Sequence, residues 1–565
     1  MYDLNFIVVM DIMYNNNKVL VVIPAKGSSK GIPSQNIRLL SNKPLISYSI
    51  DIAKSSKYVD DVVVTTDDSE ISFIAEKFGA GIVRRPEDLS GDDVPLDSFV
   101  FHAIVQQEKI AFDEYDIVII LQPNSPLIKT ETMDAVIEKF DDFLIDSVLT
   151  VVDDRHLSWG YDEENQKYFP NYFERLDRQH LPPSFRETGA ILASRRTFMN
   201  ENSCLGNNID LVEVSLEESL NIDNFKDWWI AENYLNKRKI AIVVNDYDEI
   251  GNEHIDRCLT LASKVTFHQL LFLLDENHQL AIDCVDNYDY SYQLYDGVDD
   301  LFKKLNEYSP HIVINDIQDT DADYVMTLKE KGYFVVNFED MGEGAEYADI
   351  VFDDLYEQDL SVNNAYTGHK YYILKDEFYF QPQKLITQNV DNVLLIFGAD
   401  PNNYTEKVVD AILSTNYEGR IDVILGLGYD GLERLIEKYE PNPAVQIYQN
   451  VSNISDFMLK ADIIFTSAGK TMYETCSLGV PTICLCQNER ELSHVFGNNV
   501  NGFINLGLGY EKSQEEIMDE FINLVNNYEE RVAMNEKMLN IDLKNGFSNI
   551  FSVLKEEYRN FEFSK

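Results

Sequence analysis

Three loops in this chain hold residues whose types and spacing could do chemistry. In the first, the apolar run Val19–Pro24 empties into Ala25, Lys26, Gly27, Ser28, Ser29, Lys30 and Gly31. A strand ending in such a loop presents successive backbone N–H groups and two ammonium groups, a set that can wrap a polyphosphate. The loop is neither GxGxxG nor GxxxxGK[ST], so ordinary turn chemistry accounts for it equally well. The second loop places Gly251 and His254 ahead of the helical pattern IDRCLTLASKV, with Arg257 and Cys258 opening the helix. A histidine there, read by itself, is a surface residue at a helix start, though its neutral imidazole has a pKa near the working pH. In the third, Ser467, Ala468 and Gly469 form a tight turn before a helix carrying Thr471 and Glu474. A helix N-terminus beside small residues suits a diphosphate, and a carboxylate one turn later suits ribose hydroxyls or is simply a helix-face glutamate.

The elements that must position these loops follow from the hydrophobic pattern. Short runs rich in Val and Ile (KVLVVIPA, DVVVTTD, DIVIILQP, DSVLTVV) alternate with amphipathic stretches such as PLISYSIDIAKSS. That alternation predicts βαβ units, and so an α/β fold with mostly parallel sheets covered on both faces. In TTDDSEI, Asp67 reads as a helix N-cap with Glu70 three positions on. The pattern restarts after KRK at IAIVVND, which places the main boundary near Arg238, and again at NVLLIFGAD. The intervening YYILKDEFYFQPQKLITQNVDN is polar and irregular and reads as a linker. The resulting division is an N-terminal extension over 1–17 and domains over 18–238, 239–385 and 386–565. The last two are expected to face each other across a cleft, since ligands in such sheets bind at the carboxyl ends of the strands.

Composition narrows the partners. A length of 565 residues suggests about three to four compact units. With 47 basic and 97 acidic residues the formal charge is −50, which disfavours nucleic acid and anionic membrane surfaces of the same sign. Six cysteines without a paired Cys-x-x-Cys spacing read as reduced core residues of a cytoplasmic protein. The first seventeen residues have no basic residue ahead of a short apolar run broken by Asp11, so they read as neither a signal peptide nor a span.

Six ordered motifs between Lys18 and Asn236 (VVIPAKGSSKGIPSQNI, VVVTTDDSEI, RRPEDLSGDD, LQPNSPL, RLDRQHLPPSFRETGAI and LNIDNFKDWWIAE) resemble the acylneuraminate cytidylyltransferases, the CMP-sialic acid synthetases. The resemblance implies an α/β, Rossmann-like nucleotidyltransferase domain, often a homodimer. It also implies Mg²⁺-dependent attack by a nonulosonic acid on the α-phosphorus of CTP, with release of pyrophosphate. In-line displacement at phosphorus needs charge neutralisation and positioning more than covalent chemistry. By this resemblance Lys26, Gly27, Ser28, Ser29 and Lys30 hold the triphosphate, and Asn36 and Arg85 help fix the nucleotide. Gln122 and Ser125 meet the sugar acid, Arg178 and Gln179 lie near its carboxylate or the phosphates, and Asp223 with Asn221 binds the metal. Asp223 read alone is also a candidate cap for the following helix. The chain departs from the family pattern at Lys26 (usually Arg), Ser28 (Gly), Ser34 and Gln35 (Arg-Lys), Thr188 (Asn) and Asn221 (Asp).

The second half, from Lys239 to Lys565, is similar in IGNEHIDRCLTLA, VVNFEDMGEGAEYADIVFD and SAGKTMYETCSLGVPTICLCQNER to the nucleotide-sugar hydrolases of the pseudaminic acid pathway. Those enzymes remove UDP from a diacetamido-trideoxyhexose. This resemblance implies two facing Rossmann-like domains of the GT-B type, with His254 activating water. It also implies a UDP-sugar held by Gly251, Arg257, Ser467, Gly469, Thr471, Glu474, Gln487 and Asn488. The two resemblances together point to a bifunctional cytoplasmic enzyme of nonulosonic acid biosynthesis. Its partners would be small molecules, with no nucleic acid and no membrane.

Overall fold

The structure is a computed structural model that describes residues 17–28, 31–91, 93–245, 253–356, 363–426, 428–449, 451 and 453–564. It divides into two compact units, Met1–Lys237 and Arg238–Lys565. The 1–17 extension, Ser29, Lys30 and Gly251 therefore lie outside the described residues, apart from Asn17.

In the first unit, seven strands form one sheet in the order Ile209–Glu213, Ser147–Asp153, Phe185–Arg195, Ile117–Leu121, Val19–Pro24, Asp61–Thr66, Gly81–Arg84. Only Phe185–Arg195 runs antiparallel to its neighbours. Every residue of the central strand Val19–Pro24 is buried, which is why it reads as an unbroken apolar run instead of an alternating one. From that strand the chain moves to one side, through Asp61–Thr66 and Gly81–Arg84, and then crosses to Ile117–Leu121 on the other. This reversal of direction opens a crevice at the carboxyl ends of the two adjacent strands. The loops bearing Lys26 and Gln122 leave from there.

The second unit repeats that logic in two wholly parallel sheets. The first has the order Tyr292–Tyr295, Gln269–Asp275, Lys239–Val244, Ile312–Asp316, Phe334–Phe338, Ile350–Asp353, Ala365–Thr367. The second has the order Val445–Gln449, Arg420–Leu425, Asn392–Ile396, Ile463–Thr466, Thr482–Cys486, Phe503–Leu508. In each the chain reverses beside its own first strand. The crevices lie between Lys239–Val244 and Ile312–Asp316, and between Asn392–Ile396 and Ile463–Thr466. The final helix, Gly546–Ser564, returns to cover the first of these sheets: the Phe334 ring meets Tyr558 at 5.3 Å and Phe561 at 5.2 Å. A linear division at residue 385 does not show this return.

The segment read as a linker is instead part of the core. Tyr372, Ile373, Leu374 and Phe378 are all buried, and the Tyr372 ring stacks on Tyr473 at 4.5 Å. Lys384 donates to Asp462 at 2.9 Å and to the Leu459 carbonyl at 3.0 Å. Its charged residues made the stretch look solvated, but the short apolar run Tyr371–Leu374 lies between the two sheets' cores. All six cysteines are free. No helix among the described residues is long and apolar enough to cross a membrane.

Phe378 is 1% exposed. Phe378→Ala should therefore cost about 3–5 kcal/mol, seen as a lower denaturant midpoint of the full chain. An unchanged midpoint would mean that the crossing segment carries no core load.

Candidate functional sites

In the first unit the loop after Val19–Pro24 is held from three sides. The Gly27 amide donates to Asp67 Oδ1 at 3.1 Å, and Asn36 Nδ2 donates to the Lys26 carbonyl at 2.9 Å. Gln35 Nε2 donates to the Ile222 carbonyl at 2.5 Å. A Cβ on Gly27 would come within 2.7 Å of Asp68 Oδ2, and one on Gly31 would overlap the Asp223 carbonyl. Both glycines are thus required by close approach. Ser28 is exposed at the loop's tip.

Asp68, not Asp67, caps the following helix, accepting from the Glu70 and Ile71 amides at 2.8 and 2.9 Å. That frees Asp67 to bind the loop, a role the capping pattern concealed. Arg85 is buried and donates to the Thr65 carbonyl at 2.9 Å, while its guanidinium lies 4.0 Å from the centre of the Phe99 ring. Burial lowers its pKa, and Asp67 opposes the shift. A guanidinium held in this way at the sheet's carboxyl edge is a fixed cation beside the loop.

On the other side of the crevice, Ser125 is fully buried and its hydroxyl donates to Asn221 Oδ1 at 2.6 Å. Asn221 Nδ2 donates to the Thr188 carbonyl. Its amide is thus engaged at both ends as a cross-link. Asp223 Oδ1 accepts only a long 3.3 Å contact from Asn124 Nδ2 among the described residues, leaving acceptor capacity on the carboxylate. Asn224 caps the next helix, in a capping box with Asp227, so Asp223 is not the cap. Gln122 is half-buried at the end of its strand. Arg178 and Gln179 are exposed on a short 3₁₀ turn, and no contact brings them to the loop among the described residues. At position 35, where the family usually has lysine, this chain has an amide that ties the loop to the segment ahead of the helix Phe225–Leu235.

In the second unit, His254, at 2% exposure, sits at the first sheet's crevice with Nδ1 2.5 Å from Asp316 Oδ1. Arg257 donates to the same carboxylate with both arms of its fork, Nε to Oδ2 at 2.7 Å and Nη2 to Oδ1 at 2.6 Å. Its third nitrogen, Nη1, donates to Glu339. Glu339 also pairs with Lys470 at 3.0 Å. Although burial opposes it, Arg257 and His254 hold the Asp316 carboxyl far below the usual carboxylate range. Glu339 is likewise held low against burial by Arg257 and Lys470. Arg257 therefore faces inward to two carboxylates.

A cleft of about 190 Å³ joins the two sheets' crevices, lined by His254, Glu339, Gly398, Asp400, Ser467, Gly469, Thr471, Gln487 and Asn488. The structure thus gathers five of the candidate sugar-nucleotide residues of the second sheet around the same space as His254. Glu474 is not among them. It lines a neighbouring cavity with Asp256, Arg257 and Lys375, 3.8 Å from the Lys375 ammonium. Gln487 receives Asn402 Nδ2 at 3.1 Å and donates to the Phe397 carbonyl at 3.2 Å. Asn488 caps the short helix that follows. Asp316, Glu339 and Asp400 went unnoticed in the sequence. The one signal available was position, since Asp316 ends the run HIVIND.

Asp353 and Asp354 lie beside this cluster. Burial, followed by the charges of Glu339 and Asp354, pushes Asp353 up to about 8, and burial with Glu339 pushes Asp354 up to about 7. Between the ordinary carboxylate value and the raised one, the folded protein keeps a proton that the unfolded chain has released, so stability falls as pH rises through that window. Asp353→Asn should lose less of its melting temperature than the unsubstituted chain between about pH 5 and about pH 8. Equal losses would show that Asp353 is ionised when folded.

The family model described as Cytidylyltransferase matches residues 20–203. CMP-N,N'-diacetyllegionaminic acid synthase of Legionella pneumophila is 31% identical over 240 residues, covering 40% of this chain and 100% of that protein. N-acylneuraminate cytidylyltransferase of Escherichia coli is 26% identical over 253 residues, 42% of this chain and 57% of its own length. The chain spans about half the length of several other curated relatives it matches. Among solved structures, MurG of Acinetobacter baumannii is similar over 56% of this chain and 99% of its own, at 13% identity and a TM-score of 0.44. With a relative of this identity matched from end to end, the chain belongs to the cytidylyltransferase family.

Proposed function

We propose that the first unit transfers a cytidylyl group from CTP to a nonulosonic acid. The observation that carries this reading is the loop after Val19–Pro24. It is braced by Asp67, Asn36 and Gln35 beside a buried Arg85, and it faces Asp223 across the crevice of a family member. The anomeric hydroxyl of the acid would attack the α-phosphorus, and the bond to the bridging oxygen would break as pyrophosphate leaves. Lys26 and the loop amides neutralise phosphate charge. On this reading Gln122 meets the acid, as the family resemblance implies, while Ser125 holds Asn221.

Mg²⁺ belongs to this proposal. A hard cation takes oxygen ligands and is shared with substrate phosphates. The Asp223 carboxylate fits that role, whereas the Asn221 amide is taken up by Ser125 and the Thr188 carbonyl. When bound, the ion would neutralise charge on the phosphates. The exposed aromatic residues of the hairpin Trp159–Pro170, with Trp159 58% and Tyr168 74% exposed, fit a homodimer through this unit. Sedimentation of the full chain at twice its 65.1 kDa mass would bear that out, and a monomer would refute it.

For the second unit we infer hydrolysis of a UDP-sugar of the diacetamido-trideoxyhexose class. His254 takes a proton from water, the water oxygen bonds to the anomeric carbon, and the bond to the β-phosphate oxygen breaks with its electrons leaving on UDP. The support is a buried imidazole on the wall of a cleft whose other wall is the turn Ser467–Gly469. Gly251, three positions before His254 in the sequence, is part of this reading from sequence alone.

The test uses the full chain with CTP, Mg²⁺ and a panel of sialic, legionaminic and pseudaminic acids. Pyrophosphate release is expected with at least one acid and should be lost with EDTA and lowered about 100-fold or more in Lys26→Ala. Release of UDP from the diacetamido sugar nucleotide should fall by about 100-fold or more in His254→Ala. No pyrophosphate with any acid removes the first reading, and UDP release indifferent to His254→Ala removes the second.

A further inference from the structure

We infer that Asp316 is a positioning residue that fixes His254 in the tautomer with a proton on Nδ1 and a bare Nε2 toward the cleft, and that Arg257 locks Asp316 in place for this task. The inference rests on the hydrolase reading only for its catalytic consequence. The tautomer itself is a property of the free protein.

The geometry leaves little choice. A separation of 2.5 Å between Nδ1 and a carboxylate oxygen requires a proton between them. Asp316 is ionised against two arms of Arg257, so that proton belongs to the imidazole. Arg257 Nη2 lies 3.4 Å from the same Nδ1. A protonated Nδ1 cannot accept, so this contact is incidental and the carboxylate is the partner. Two bonds from a rigid guanidinium fork hold the carboxylate plane, which an ammonium could not do. Cys258 Sγ, at 3.5 Å from Oδ2, adds a weak third contact.

Paired charges surround the ring as well. Arg257 and Lys470 face Asp316 and Glu339, two cations against two carboxylates, with Asp354 3.8 Å from Arg257. The imidazole stands among these groups on the wall of the cleft. When it takes a proton on Nε2, the new charge lies against an acceptor already in place, and no reorganisation is needed. Histidines that act in this way have the orienting acceptor on the nitrogen away from the reacting atom. Strand order supplies that partner here, because His254 follows the first strand and Asp316 ends the adjacent one across the reversal.

The test is ¹⁵N NMR of the full chain labelled at histidine, with His254→Gln identifying the resonance among the nine histidines. The expected signal is a protonated Nδ1 with an unprotonated Nε2. A protonated Nε2 with a bare Nδ1, or a mixture of the two forms, overturns the inference whatever the activity. In a second arm, Asp316→Asn should lower kcat for UDP release from the diacetamido sugar nucleotide by about 100-fold, with KM within about threefold. An unchanged kcat in a folded variant also overturns it. Because removing the carboxylate strands a buried Arg257 charge, the variant can fail to fold, and the spectrum of the unsubstituted chain then decides alone. The expected tautomer together with no UDP release from the unsubstituted chain leaves this inference standing and removes the hydrolase reading instead.

Discussion

The constraint on which the rest of the molecule depends is a topological one, met three times. In each sheet the chain lays down strands on one side of its first strand and then crosses to the other. Right-handed crossovers send the two adjacent loops over opposite faces, so their carboxyl ends cannot close over each other. A crevice is left between them. Lys26 and Gln122 flank the first such crevice, His254 and Asp316 the second, and Gly398 and Ser467 the third. Residues 62 to 96 positions apart in the chain come to flank one crevice for this reason alone.

A second constraint is electrostatic. The chain carries a formal charge of −50, yet its interior charges are arranged locally. Arg257 is buried with two carboxylates, and the cost of desolvating it is offset by a close bidentate pair with Asp316 and a single bond to Glu339. Lys470 extends the same network across the cleft from the second sheet to the first. Arg490 donates to the Glu339 carbonyl at 3.3 Å, and Tyr473 Oη to the Asp354 carbonyl at 2.5 Å. The two halves of the second unit are thus joined at the cleft by polar contacts beside the histidine, not by apolar packing alone. Burial and the neighbouring carboxylates raise Asp353 and Asp354 above the usual carboxylate range.

Some errors of sequence reading share one cause. TTDDSEI offers two adjacent aspartates for one cap, and the choice between them depends on which side chain the loop behind needs; Gly27 takes Asp67 and leaves Asp68 to the helix. Asn224 likewise takes the cap that Asp223 could have taken, through a reciprocal bond with Asp227. Local pattern narrows such choices to two residues, and a distant partner decides. The buried crossing at Tyr371–Leu374 was missed because a window of charged residues around a short apolar run has the composition of a linker. Its burial comes from Tyr473 and its neighbours, about a hundred positions later.

By itself the sequence determined the α/β class, the restarts of the strand pattern, the family of the first unit and three candidate loops. These follow from period, composition and short contiguous motifs, all of which are local. Only the tertiary structure decided which faces those side chains present. It turned Arg257 inward onto Asp316, engaged both ends of Asn221, moved Glu474 into the neighbouring cavity and gave His254 its carboxylate. Each of these is a pairing between residues brought together by strand order, and strand order is set by how whole sheets bury their faces, which no single segment encodes.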